Sequence, residues 1–166
     1  MSETTLAALN ESDRDRFVDA LGWVFEHSPW VAEQAWTERP FVSIDRLHES
    51  MTRIVARAPR DEQLALLRAH PDLGTRARMS TASTSEQAGA GLDSLTREEF
   101  DRLQQLNATY RERFGFPFLY AVKGSTKQDI IRALERRISA APDDEFEEAL
   151  QQVYKIAGFR LSELLQ

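Results

Sequence analysis

The sequence contains no cysteine. That absence excludes disulfide scaffolds, cysteine nucleophiles, iron–sulfur clusters and cysteine-based zinc sites. Long hydrophobic runs are missing as well, and none approaches the roughly 20 residues that a membrane-spanning helix requires. Positive charge is in deficit: 21 Lys plus Arg stand against 27 Asp plus Glu, for a net charge of −6. Nucleic acid, which is gripped by clustered cations, is therefore not an expected partner. Lysine is confined to Lys123, Lys127 and Lys155, each in a solvated face or loop context that does not suggest a Schiff base. Histidine is confined to His27, His48 and His70. These are too widely separated for the i, i+4 pair of a helical metal site, and His48-Glu49 is not followed by a second histidine at the H-E-x-x-H distance, so no metal is expected. The nucleophile elbow, the phosphate loop and the dinucleotide glycine fingerprint are also absent. The start, MSETTLAALNESDRDRF, lacks the basic-then-apolar order of a secretion signal, and the end, SELLQ, is not an organelle address. The expectation is a cytoplasmic protein without a membrane partner.

What is present is an ordinary globular balance. The 166 residues are 42% hydrophobic and 29% charged, enough apolar mass for the core of one domain spanning residues 1–166. Apolar spacing is helical almost throughout. Ser12 is a candidate N-cap for a helix over 12–26 that presents Phe17, Leu21 and Val24 on one face. Ser28-Pro29 predicts a short helix through Trp36, with Pro29 at its first position. Ser43 caps a segment whose stripe is Ile44, Leu47, Met51, Ile54, Val55 and Ala58. Pro59 starts the next helix, with Leu64 and Leu67 inward, and Pro71 closes it. Thr96 and Glu99 form a capping box ahead of Phe100, Leu103, Leu106, Tyr110 and Phe114, with Gly115 as the stop. Ser125 and Gln128 suggest a second box ahead of Ile130, Ile131, Leu134 and Ile138. Pro142 and Asp143 open a last helix with Phe146, Leu150, Val153, Ala157, Leu161 and Leu164 inward. Only residues 116–122 look strand-like, and Pro117 argues against that. The expected fold is an all-α, single-domain bundle of roughly seven or eight helices.

The exception to helical order is the stretch of about residues 71–95, rich in Gly, Ser and Thr, where a long functional loop is expected. A surface loop with one short helix near residues 86–90 is the plainer alternative.

Candidate chemistry gathers around that loop. His27 and His48 read as a helix-end and a boundary histidine. His70 sits at a helix end before a proline, where dipole stabilisation and proton transfer are about equally good explanations. Ser83, Thr84, Ser85, Glu86 and Gln87 put three hydroxyls, a carboxylate and an amide within five residues, a set able to hydrogen-bond a small polar ligand. The same residues also fit an N-cap at Ser83 with its box partner Glu86. Arg160 falls on or beside the apolar stripe of the last helix. A buried guanidinium needs a carboxylate partner or an anionic ligand, unless it snorkels at the margin or pairs with Glu163.

Taken together, Leu67-Arg-Ala-His70-Pro-Asp-Leu73, the S-x-x-E-Q run Ser83 to Gln87 followed by Ala88-Gly-Ala-Gly-Leu92, and Tyr110-Arg-Glu-Arg-Phe-Gly-Phe-Pro-Phe118 resemble the OHCU decarboxylase family. OHCU is 2-oxo-4-hydroxy-4-carboxy-5-ureidoimidazoline, an intermediate of urate breakdown. The early Phe25-Glu-His-Ser-Pro-Trp30-Val and the late Lys155-Ile-Ala-Gly-Phe-Arg160-Leu161 extend the resemblance over essentially the whole chain. It implies an all-α enzyme that converts OHCU to (S)-allantoin without metal or organic cofactor. It implies that His70 is the catalytic histidine, with Glu86 and Arg160 completing the catalytic set; proton-transfer chemistry adds the expectation that His70 is the general acid, the division of roles with Glu86 staying open. It places Pro71, Ser83, Glu86 and Gln87 against the substrate, Thr84 and Ser85 lying in the same run, together with backbone of Phe118, Leu119, Tyr120, Ala121 and Val122. The stretch between His70 and Glu86 is shorter than in some relatives, and Arg76 and Arg78 within it receive no role. The resemblance allows a homodimer, although no interface can be read from the residues. Two other readings compete: a non-catalytic helical binding module, and a related lyase acting on another ureido acid.

Overall fold

The computed structural model describes residues 4–74 and 80–165. Among these the regular structure is entirely helical: α1 (Leu6–Glu11), α2 (Arg14–Leu21), α3 (Trp30–Trp36), α4 (Ile44–Arg57), α5 (Arg60–Arg68), α6 (Thr81–Gly89), α7 (Arg97–Phe114), α8 (Lys127–Arg137) and α9 (Pro142–Leu164). The count exceeds expectation because α1 is one short turn-and-a-half with a single buried residue, Leu9, too brief to show a period. Residues 116–122 form no strand.

Several helix starts differ from expectation by a residue or more, and each has a local cause. Asp13, not Ser12, caps α2 by accepting from the Arg16 N–H at 2.9 Å, while Ser12 closes α1. That helix ends at Leu21, so Val24 and Phe25 are buried from irregular backbone. Pro29 occupies the N-cap position of α3, and the Ser28 hydroxyl instead donates to the Glu26 carbonyl. Thr126 with Asp129 makes the capping box of α8, in place of Ser125 with Gln128. In the long loop, Ser80 rather than Ser83 is the N-cap, and helix α6 occupies much of the segment expected to be irregular. Ser43 caps α4, and Thr96 with Glu99 boxes α7, as expected. Gly115 stops α7 at φ 81°, a left-handed conformation that a Cβ would strain.

The chain divides into two compact units, residues 1–69 with 154–166, and residues 70–153. In the first, α3 packs on both α2 and α4, and Phe17, Leu21, Val31, Leu47, Met51 and Val55 are fully buried. His48 Nε2 meets the Tyr154 carbonyl at 2.7 Å, and a Cβ on Gly158 would lie 3.3 Å from that ring nitrogen. The boundary position expected for His48 thus has a packing reason. His27 is exposed and takes φ 47° in the turn after α2.

In the second unit, α7 packs on α8. Its centre is an aromatic cluster built by the F-G-F-P-F run. The Tyr110 ring lies 4.6 Å from Phe114, 5.9 Å from Phe116 and 5.4 Å from Phe118, and Phe116 meets Phe146 edge-on at 5.8 Å. Large rings packed at these distances supply much of the apolar burial and also fix relative orientation.

Candidate active site

His70 begins the second unit, two residues beyond the end of α5, and its side chain is buried. The Pro-Asp-Leu-Gly run after it has no helical hydrogen bonding, so its backbone must find other partners. They come from α6 and α7. The Gly74 N–H donates to Gln87 Oε1 at 2.9 Å, the Leu73 carbonyl accepts from Asn107 Nδ2 at 2.9 Å, and Asp72 Oδ1 accepts from Arg111 Nη2 at 2.9 Å. Gly74 has φ 73°, and a Cβ there would sit 2.5 Å from Leu103 Cδ2. Glycine is demanded twice over, by backbone conformation and by space.

Helix α6 sorts the polar run of the sequence onto two faces. Ser83 and Gln87, one turn apart, are buried, and Glu86 is half-buried beside them. Thr84 and Ser85 are exposed, and the Thr84 hydroxyl donates to the Ser80 carbonyl. Ser83, Glu86 and Gln87 therefore share the inner side of the helix, and the exposed Thr84 borders a cleft that Gln87 also lines. A cleft of about 770 Å³ is lined by Gly74, Thr84, Gln87, Leu92, Leu95 and Phe100 among others; His70 and Glu86 are not part of its lining. The cleft shares only Gly74 and Gln87 with the histidine strap and its anchors. Arg76 and Arg78 lie outside the described residues.

The segment 118–122 is held by a second network. Arg137, buried on α8 in register with Ile130, Ala133 and Leu134, donates from Nη1 to the Leu119 carbonyl at 2.6 Å and from Nε to Glu145 Oε1 at 2.7 Å. Its guanidinium lies 4.5 Å from the centre of the Phe118 ring. The Tyr110 hydroxyl donates to the same Glu145 oxygen at 2.5 Å. Burial and the Glu145 carboxylate push the Tyr110 phenol far above its ordinary range, so it stays a donor. The Ala121 N–H donates to Gln152 Oε1 at 2.9 Å. Two of the backbone groups expected to face a ligand, the Leu119 carbonyl and the Ala121 N–H, are thus engaged by Arg137 and Gln152. Tyr120 is half-buried with its hydroxyl 3.2 Å from Ser125 Oγ, Val122 is buried, and Pro71 is half-buried.

Arg160 belongs to the other unit. It is buried and does not snorkel at the stripe margin, and it pairs with Glu26 at 3.2 Å, with Nη1 also donating to the Trp23 and Val24 carbonyls at 3.1 and 3.3 Å. Glu26, Asn107, Arg111, Arg137, Glu145 and Gln152 are not singled out by the sequence. The signal that picked out Arg160, a polar residue in an apolar stripe, would equally have picked out Arg137 and Asn107. Among the described residues, no three His, Asp or Glu side chains group as a metal ion requires, and no helix is long and apolar enough to cross a membrane.

Comparison with known proteins supplies the remaining findings. The family described as OHCU decarboxylase matches residues 10–162. The chain is 53% identical over 163 residues to the 2-oxo-4-hydroxy-4-carboxy-5-ureidoimidazoline decarboxylase of Haloferax volcanii, covering 98% of this chain and 97% of that protein. It is 47% identical over 161 residues to the uric acid degradation bifunctional protein PucL of Bacillus subtilis, covering 97% of this chain and 33% of PucL. The crystal structure of (S)-allantoin synthase superposes with a TM-score of 0.82 at 34% identity, over 98% of this chain and 54% of that one.

Proposed function

The chain belongs to the OHCU decarboxylase family, and on that premise we propose that it is a carboxy-lyase converting 2-oxo-4-hydroxy-4-carboxy-5-ureidoimidazoline to (S)-allantoin in urate degradation. The observation that carries the reading is the coincidence of whole-chain similarity with a buried histidine on a strap anchored at three successive residues. Such anchoring is what a stereospecific proton transfer asks of its acid.

The chemistry balances within the substrate. The bond to the carboxylate breaks and CO2 departs. Its electron pair moves into the adjacent C=N of the imidazoline, which acts as the sink. The ring nitrogen of that C=N takes up a proton, the ureido-bearing carbon is protonated on one face, and the hydroxyl-bearing carbon becomes a carbonyl by losing its hydroxyl proton, so that one proton is taken up overall. The protein supplies position, exclusion of water and the proton. His70 is the general acid, since an imidazole exchanges protons readily near neutral pH. Glu86 and Gln87 hold the hydroxyl and the ureido or ring N–H groups, and the bond from the Gly74 N–H to Gln87 Oε1 ties the Gln87 side chain to the histidine strap. The family resemblance adds Arg160, whose guanidinium direction is set by Glu26 and two carbonyls.

The test is to generate OHCU freshly from urate with urate oxidase and hydroxyisourate hydrolase. This protein is then added in the presence of a chelator, and the circular dichroism of the product is followed. The expected result is rapid growth of the (S)-allantoin signal above the slow racemic background, with loss of turnover in folded His70→Ala and Glu86→Ala variants. A folded wild type without acceleration would overturn the activity. A folded His70→Ala variant turning over at the wild-type rate would overturn the acid role alone.

A further inference from the structure

We propose that Asn107 and Arg111, four residues apart on α7, are positioning residues for His70. Neither was singled out by the sequence, and neither is assigned to the substrate. The inference rests on the reading of His70 as the proton donor.

The strap leaves α5 at its C-cap Ala69 and carries the histidine as its first residue. Proline at 71 restricts both its own φ and the backbone of His70 before it. A force that fixes residues 72 and 73 is therefore transmitted to the histidine through a stiff link and not through a floppy one. Asn107 fixes the Leu73 carbonyl and Arg111 fixes the Asp72 carboxylate, each at 2.9 Å. The i, i+4 spacing puts both anchors on one face of a rigid helix.

Two features separate this clamp from ordinary packing. Asn107 is only 2% exposed, and its Oδ1 has no hydrogen-bond partner among the described residues. A leucine of similar size would remove the idle oxygen, at the cost of leaving the buried Leu73 carbonyl without its donor. What the amide provides is the one bond to Leu73. Arg111 and Asp72 are 46% and 29% exposed, so their ion pair adds little to stability. Arg111 is poorly explained as a stabiliser, and both residues are well explained as anchors.

The experiment compares wild type with Asn107→Leu, Asn107→Asp and Arg111→Ala, each checked for cooperative melting. Two readouts are taken: kcat and KM with the enantiomeric excess of the allantoin formed, and the NMR titration of the His70 ring. The ring is assigned by loss of its signals in His70→Gln, with His27 and His48 as the remaining histidines. Asn107→Leu is expected to melt cooperatively, somewhat below wild type because the Leu73 carbonyl loses its donor, yet to lose about tenfold or more in kcat when assayed folded, with KM changed less and enantiomeric excess reduced. Arg111→Ala, at an exposed site, is expected to fold normally and lose kcat several-fold. The His70 resonances and their titration midpoint are expected to move in both. Asn107→Asp lacks the same donor and decides the matter should the leucine variant not fold. If both position 107 variants fail to fold, Arg111→Ala decides. Variants that keep kcat within twofold, full enantiomeric excess and an unmoved His70 titration overturn the proposal. A fall confined to position 107 overturns the part given to Arg111. A wild type without turnover overturns the decarboxylase reading instead, and the NMR titration still decides whether α7 holds the ring.

Discussion

The Arg160 guanidinium and the Glu26 carboxylate meet at 3.2 Å with 4% and 1% of their side chains exposed. Two residues 134 positions apart thereby satisfy each other where water cannot. Removing either partner takes the opposite charge from a buried ion, which costs about 3–5 kcal/mol. Glu26→Ala is expected to lower the urea midpoint accordingly, and Glu26→Leu with Arg160→Met to recover most of the loss. A Glu26→Ala protein as stable as wild type would contradict this.

Tyr110 offers a test on the alkaline side. Burial first, and then its bond to the Glu145 carboxylate, hold the phenol above its ordinary value near ~10. A folded value raised above the unfolded one means that this contribution is present in full below about pH 10 and is lost as pH rises beyond it. Tyr110→Phe leaves Glu145 short of a donor and is expected to cost about 1–3 kcal/mol at neutral pH. The stability gap between wild type and variant should then narrow above pH ~10. Curves of denaturation midpoint against pH that stay parallel from neutrality to pH ~11 would refute the argument.

Gly74 is the tightest point of the histidine strap. A methyl group there meets Leu103 Cδ2 at 2.5 Å and Leu95 Cδ1 at 3.1 Å on a backbone at φ 73°. Gly74→Ala is expected to destabilise by about 1–3 kcal/mol. It should also depress kcat in molecules that remain folded, because the Gly74 N–H is the group that Gln87 holds. Thermal melting and single-turnover rates check the two parts separately.

Glu38 tests the acid side. Burial works to raise its carboxyl, but the Ser50 hydroxyl at 2.7 Å and the Arg53 guanidinium at 3.1 Å outweigh that and hold it below the usual range. A lowered folded value contributes stability above the unfolded value, near ~4.3, that is lost as pH falls through the folded one. With a third of the side chain exposed, the amount is under about 1 kcal/mol. Wild type should exceed Glu38→Gln in stability at pH ~6 and approach it by pH ~3. A gap that widens on acidification would show the sign to be wrong.

Much of the helical framework could be read in advance because its signals are local. Ser43, Thr96 with Glu99, and Gly115 act within one turn of the chain they terminate, and each does what its spacing predicts. The misplacements at Ser12, Ser83 and Ser125 share one cause. Adjacent hydroxyl or carboxylate residues compete for the same cap, and a shift of one to three residues costs little locally, so packing breaks the tie. The polar run from Ser83 to Gln87 shows the same limit for the candidate site. Its composition suggested five ligand groups, whereas helical periodicity leaves Ser83, Glu86 and Gln87 together and turns Thr84 and Ser85 outward.

By itself the sequence determined the helical class, the absence of any cysteine chemistry, the family resemblance carried by the motifs around His70, Glu86 and Phe116, and the place of Arg160 on or beside an apolar stripe. All of these follow from residue type and from periodicity over a few turns. Only the tertiary structure decided that Arg160 meets Glu26, that Arg137 joins Glu145 and Tyr110 to hold Leu119, and that Gln87, Asn107 and Arg111 clamp the strap behind His70. These are bonds between groups far apart along the chain. Nothing in the local sequence marks one partner for another, and the choice is made where buried polar groups must be satisfied by whatever the packing brings within reach.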